Sequence, residues 1–445
     1  MAELLSVPDA LKSSGMDVGI PRTPRNPNTC ALIGDSRAAN FLISTAVVGR
    51  KSSQHPLAWA MGYMGQRLRA VYFGGISGFR SDQWQKALSP DLSYLQVNNV
   101  QAMFQTDALW AVFAGIGVND ISQGFTAAQI WNGYNGAPGM KAVLDACINA
   151  GMRPIIFGEL GATGFSATQI GYVAQLNRYL RGWASANSDA IYFNQGGSIW
   201  SPTATSAIAF KAGYSGDGMH LTALGANAAG SDLSAILTPR IPLFDERITS
   251  GVETYAQGGV QLCPNPLFLT STGGSAGTGI TGTAPSGTNI TRLGGATATL
   301  TVIADPNGYG NAIQLACTFA ANGDAVVVDI DLTPSIPLGS WTPGDRYFAQ
   351  ARVEVANGSS NAGCPWSMLR FQADGVANEV YDFYNDVNIS SGPTTAYNLD
   401  QKTGILTIPT YTTATQVIQR VRMNGYAAGS QTVVISRCST TKVLN

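Results

Sequence analysis

Apolar residues follow two different rhythms along this chain, and the change comes near residue 265. Before it, short unbroken apolar runs recur at 30–33, 70–73, 109–114, 153–158 and 190–194. Runs of that length without polar alternation predict strands covered on both faces, as in a parallel sheet. Between them the spacing turns helical. Over 166–186, Ile170, Val173, Leu176, Leu180 and Trp183 recur at three and four residues and make one apolar stripe. Further helices are predicted from Ala38 to Val48, over 57–69 and from Thr222 to Leu237. This alternation over 29–240 predicts an α/β domain on an open, doubly wound parallel sheet.

After 265 the helical spacing disappears. Gly, Ser and Thr dominate 270–297, and period-two segments follow at 326–332, 347–355, 417–423 and 433–435. Such segments, separated by turn residues, predict an all-β jelly roll or β-sandwich over 265–445. Residues 241–264, with Pro242 and a glycine-rich piece at 251–260, read as a linker. Residues 1–28 are polar and rich in proline, which biases each preceding residue away from helix, so they read as an extended arm.

Composition narrows the function. The 445 residues carry a net charge of −1 and are only 12 % charged, which argues against nucleic acid as a partner. No apolar run reaches the roughly 18 residues of a membrane span. The opening residues Met1–Leu5 lack the basic-then-apolar order of a signal peptide. The six cysteines (30, 147, 263, 317, 364 and 438) include no Cys-x-x-Cys pair, so no zinc or redox motif is expected. Their spacing does not say whether any form disulfides. Only His55 and His220 can serve a histidine-dependent mechanism.

Three strand ends carry polar residues suited to acyl transfer, which needs a nucleophile, a base, a group that orients the base, and donors for an oxyanion. Gly34-Asp35-Ser36 follows the first strand, and Ser36 can be the nucleophile. Alone it is weak evidence, because Gly-Asp-Ser is common turn chemistry. His220 can be the base, with His55 as its rival. Asp217 lies three residues before His220, close enough on one loop to orient it, while Asp35 and Asp120 are competing acids. The N–H groups of Ser36 and Gly78 and the amide of Asn119 can supply oxyanion donors. His55, before Pro56, reads as the cap of the helix at 57–69.

Taken in order, four blocks resemble the SGNH (GDSL-type) hydrolases, a family of flavodoxin-like esterases and lipases. They are Gly34-Asp35-Ser36, Gly78, Gly117-Val118-Asn119-Asp120 and Asp217-Gly218-Met219-His220. The resemblance covers about half the chain and implies a three-layer α/β domain. It also implies a Ser36–His220–Asp217 triad and an oxyanion hole of Ser36, Gly78 and Asn119, with no metal or cofactor. Arg37 stands where the family usually has leucine, and at a pocket mouth it would favour a polar or anionic substrate.

With its opening Cys263-Pro264-Asn265-Pro266-Leu267-Phe268 and its ending Val433-Val434-Ile435-Ser436-Arg437, the second half is similar to carbohydrate-binding jelly rolls. Trp341, Trp366, Tyr381 and Tyr384 are either sugar-stacking platforms or core aromatics. The whole resembles bacteriophage tail-fibre or tailspike proteins with an SGNH module. That resemblance implies removal of O-acetyl groups from a bacterial surface polysaccharide, a virion-tail or extracellular setting, and a homotrimer. The competing readings are a bacterial carbohydrate esterase of the acetyl-xylan type, and a non-catalytic receptor-binding protein that uses its sandwich.

Overall fold

The structure is a computed structural model that describes residues 24–41, 50–85, 103–204, 207–243, 248–253, 261–359, 361–384 and 392–443. The chain forms two compact units. The first takes in the chain up to Phe41, Arg67–Leu221 and Ser231–Phe244; the second takes in Leu42–Gln66, Thr222–Gly230 and Asp245–Asn445. Among the described residues no helix is long and apolar enough to cross a membrane. All six cysteines are buried thiols, with no disulfide among the described residues.

The five predicted strands build the sheet of the first unit: β1 (Asn26–Gly34), β2 (Arg69–Gly75), β3 (Ala108–Ala114), β4 (Arg153–Phe157) and β5 (Ile191–Phe193). Their order is β2-β1-β3-β4-β5, and every pairing is parallel. This is the flavodoxin-type order, whose switch point lies between β1 and β3. Alternate strand residues serve opposite faces. Ala31, Ile33, Ala111, Phe113 and Ile156 share one core with helices α3 (Met140–Asn149) and α4 (Ala167–Ala186). Leu32, Val112 and Ile155, on the other face, are equally buried. The α4 stripe is as expected: Val173, Leu176, Leu180 and Trp183 are buried, and Ile170 is half-buried. Each such side chain, once buried, contributes about 1.5–3 kcal/mol. Ser166 and Gln169 close a reciprocal capping box at the start of α4.

The first strand begins at Asn26, inside the stretch read as an arm, because Asn26 N–H bonds Asp107 O at 2.7 Å. The rest of that arm, 1–23, lies outside the described residues. Of the helix expected from Ala38 to Val48, the described residues show α1 (Ser36–Ala39) followed by a turn at Asn40 and Phe41; 42–49 lie outside the described residues. The next, α2 (Pro56–Tyr63), stops short of 69 because Gly65 and Gln66 take the left-handed conformation. The final helix, α5 (Ala223–Leu237), matches its expected span.

The second unit is a β-sandwich of two seven-stranded sheets. Long antiparallel pairs dominate it, such as Arg346–Asn357 with Gly429–Lys442 and Trp366–Ala373 with Ala414–Asn424. Its core is joined by Gln419, whose amide donates to Gln350 O at 2.7 Å. Trp341, Trp366 and Tyr381 are buried core aromatics, which removes the stacking-platform reading for these three. The side chain of Tyr384 lies outside the described residues.

One segment of the expected 29–240 domain belongs here instead. The strand Arg50–Ser52 pairs with Val376–Tyr384, and Lys51 Nζ meets the buried Asp382 carboxylate at 3.0 Å. On α2, Trp59 packs edge-on against Phe383 and Tyr397. The linker region is also partly absorbed, since Gln261 already pairs with Thr441; 244–247 and 254–260 lie outside the described residues.

Candidate active site

Parallel strands end on one edge, so the loops after β1, β2 and β3 meet there. Gly34 closes β1 between Gly75 and Ala114, its register partners on β2 and β3. Only glycine fits: its φ is +147°, and a Cβ would lie 1.8 Å from Ala114 O. The chain then turns at once into α1. Asp35 caps it, taking the Arg37 N–H at 2.8 Å, and Ser36 is its first residue, almost buried.

The loop 215–220 brings the base to this serine. His220 Nε2 lies 2.8 Å from Ser36 Oγ, and His220 Nδ1 lies 2.6 Å from Asp217 Oδ2. A carboxylate at Nδ1 selects the tautomer with its proton there, leaving the Nε2 lone pair facing the serine hydroxyl. Asp217 is itself held: its Oδ1 takes the N–H of Met219 (2.8 Å) and of His220 (2.7 Å). Burial works against its charge, but the bonds from the His220 ring and these two backbone groups outweigh it and bring its pKa to about 2. It therefore stays ionised at any ordinary pH. Ser215 braces the loop, donating to His220 O at 2.7 Å.

The two competing acids serve elsewhere. Asp120 takes the Ser81 N–H and hydroxyl and the Tyr134 hydroxyl. Burial raises the pKa of both Asp35 and Asp120, most strongly for Asp35, which also feels Glu159. His55, the rival base, caps α2 through Nδ1, which takes the Leu57 N–H at 3.0 Å. Burial depresses its pKa to about 3.

Gly78 sits in the turn after β2 with φ +79° and open space where a Cβ would stand, so its backbone is accessible from outside. Asn119 holds that turn: its amide donates to Phe79 O at 2.9 Å and stands 3.4 Å from Asp35 Oδ2. Ser36, Gly78 and Asn119 thus share one rim through the loop contacts Asn119–Phe79 and Asn119–Asp35.

Arg37 does not stand at a pocket mouth. It is buried and forms an ion pair with Glu159; it also donates to Gly161 O and, at 3.3 Å, to Met219 O. Glu159, which sequence reasoning missed, takes the N–H of Gly117 (3.1 Å) and of Gly161 (2.7 Å). The pair therefore clamps four loops: those after β1, β3 and β4, and the one carrying His220. The only sequence signal was a lone acid directly after the apolar run at 153–158.

Residues 32–228 match the family described as GDSL-like Lipase/Acylhydrolase. The chain carries a GDSL/SGNH hydrolase domain. Outside that match lies most of the β-sandwich of the second unit. No curated protein matches the chain. Among solved structures, it is similar to a GDSL-like lipase from Bacteroides thetaiotaomicron VPI-5482, at 15 % identity over 48 % of this chain and 88 % of that one, with a TM-score of 0.32. It is also similar to a family 11 carbohydrate-binding module of a Clostridium thermocellum cellulase (10 % identity, 36 % of this chain, 89 % of that one, TM-score 0.22). A third likeness is to the enzymatically active domain of tailspike protein 4 of bacteriophage CBA120 (14 % identity, 36 % of this chain, 20 % of that one, TM-score 0.24).

Proposed function

We propose that this GDSL/SGNH hydrolase is a serine esterase that removes small acyl groups, O-acetyl above all, from a bacterial surface polysaccharide. The observation that carries the catalytic part is the unbroken Ser36–His220–Asp217 hydrogen-bonded chain. Ser36 Oγ attacks the ester carbonyl while His220 Nε2 takes its proton, and Asp217 steadies the imidazolium that forms. The tetrahedral oxyanion is met by the N–H groups of Ser36 and Gly78. Asn119 adds a third donor by turning toward it the N–H now aimed at Asp35. The intermediate collapses: the sugar hydroxyl leaves with the proton from His220, and the acyl group stays on Ser36. Water, deprotonated by the same histidine, then releases the acid. No metal or cofactor enters this sequence.

The polysaccharide part rests on the sandwich attached to the hydrolase and on the resemblance of the two-domain plan to phage tail proteins. In this reading the protein is extracellular or on a virion tail and works as a homo-oligomer, a trimer if on a tail. Domain borders at about 240 and 265 serve it, with the 42–66 segment contributed to the sandwich. The test is hydrolysis of p-nitrophenyl acetate, butyrate and octanoate, followed by acetate release from O-acetylated capsular or O-antigen polysaccharide and from acetyl xylan. Activity falling with acyl length and acetate release from the surface glycan support the proposal. Absence of ester hydrolysis overturns it, and a preference for acetyl xylan moves the substrate to the plant polysaccharide.

A further inference from the structure

A cleft of about 600 Å³ opens in the first unit between α4, the end of β5 and residues of 200–204 and 207–209. That volume suits a sugar residue or two. Its lining includes Arg178 and Arg181, one turn apart on α4, and, among the described residues, no acidic one. Among the described residues neither guanidinium is in an ion pair, whereas the buried Arg37 of the same unit is. Two further polar groups face the cleft with no hydrogen-bond partner among the described residues: the Tyr192 hydroxyl and the Asn194 amide. The Trp200 ring is fixed in the wall. Its Nε1–H donates to Leu160 O at 3.2 Å, and one side packs over Gly196, where a Cβ would come within 2.7 Å of the ring.

The cleft is continuous with the frame of the active site. Asn177 in its lining exchanges two hydrogen bonds, at 2.7 and 2.8 Å, with the backbone of Glu159. The Glu159 side chain in turn meets Arg37 and Gly117.

We infer that this cleft binds an acidic sugar residue of the substrate polysaccharide, resting on the polysaccharide reading above. Two guanidiniums without anions match a carboxylate, which they can hold by parallel N–H···O bonds. An aromatic wall suits the apolar face of a pyranose ring, and an amide and a phenol suit its hydroxyls. A neutral acyl chain would leave all four polar groups unmatched. Nucleic acid is disfavoured by the net charge of −1.

The test uses the full chain carrying Ser36→Ala, so that nothing is turned over, titrated calorimetrically with a galacturonic-acid hexamer, a sialic-acid oligomer and neutral cellohexaose. We expect at least one acidic oligomer to bind tenfold or more tighter than cellohexaose. Adding Arg178→Gln and Arg181→Gln should weaken that binding tenfold or more, with the melting curve unchanged because both side chains are exposed. The inference is overturned if neither acidic oligomer binds, or if the double variant binds as well as its parent, which would put the binding on another surface. Ester hydrolysis by the wild type is read separately with p-nitrophenyl acetate. Its absence would sink the esterase reading, whereas hydrolysis without acidic-sugar binding would sink this inference alone.

Discussion

Each compact unit holds one of the two histidines, and their surroundings give them opposite chemistry. His220, in the α/β unit, keeps 29 % of its side chain exposed, faces a charged aspartate through Nδ1 and a hydroxyl through Nε2. His55, in the sandwich unit, is 2 % exposed and spends Nδ1 on a backbone N–H. The difference extends to other polar groups. In the α/β unit, buried Asp35, Arg37, Asp120 and Glu159 gather at one sheet edge and hold loops there. In the sandwich, Gln350, Gln419 and Thr440 are buried between strands and bond one another's backbone or side chains. Burial of polar groups therefore does not mark a reactive site. What marks it is a hydrogen-bonded chain that runs from a carboxylate through an imidazole to a hydroxyl.

The sharpest break in this contrast is Ser36→Ala. It should lower kcat on p-nitrophenyl acetate on the order of 10⁶-fold, with the melting temperature kept. Next is Asp217→Asn, which leaves the loop bonds largely in place but allows the wrong tautomer. A fall in kcat on the order of 10⁴-fold is expected, and unchanged activity would move the orienting acid elsewhere.

His55 makes the converse prediction, in stability rather than rate. Its imidazole stays neutral in the folded protein down to about pH 3, while the unfolded chain takes up a proton below about 6.5. The unfolded state thus binds more protons between those values, and stability falls as pH drops from about 6.5 toward 3, by up to about 5 kcal/mol. Denaturant titration across that window should show the loss, and His55→Asn, which keeps a capping side chain, should flatten it. An equal slope in the variant would refute the assignment.

Glu159→Gln leaves Arg37 buried without its anion and should cost about 3–5 kcal/mol of stability. Because Arg37 also holds Met219, the same variant should slow turnover. A melting curve identical to the wild type would show that the clamp is not structural. The smallest effect is on the oxyanion rim, where Asn119→Ala should lower kcat about 10²–10³-fold, equivalent to about 2.7–4 kcal/mol in the barrier. Single-turnover kinetics would separate this from a change in substrate affinity.

Much of the α/β unit was legible because its strands are short, continuous and apolar, a pattern local in sequence. The meeting of the candidate residues was legible for a related reason: Ser36, Gly78 and Asn119 each follow a strand, and parallel strands deliver their ends to one edge. Glu159 was not, since a lone acid gains meaning only from the arginine 122 positions away that it meets. The length of the helix ending at Tyr63 was also misjudged, because helix-compatible residues continue past Gly65 and Gln66, where the backbone turns left-handed.

By itself, then, the sequence determined the order of strands and helices along the chain, the change of rhythm near 265 and the candidate side chains that the fold brings together. These depend on neighbours within a few residues, or on a topology that parallel strands enforce. The tertiary structure alone decided which arginine is a clamp and which aromatics are core. It also decided that the strand Arg50–Ser52 joins the sandwich, through Lys51 against Asp382 and Trp59 against Phe383 and Tyr397. Each of these turns on desolvation or pairing between residues far apart in the chain, and no local pattern encodes the partner.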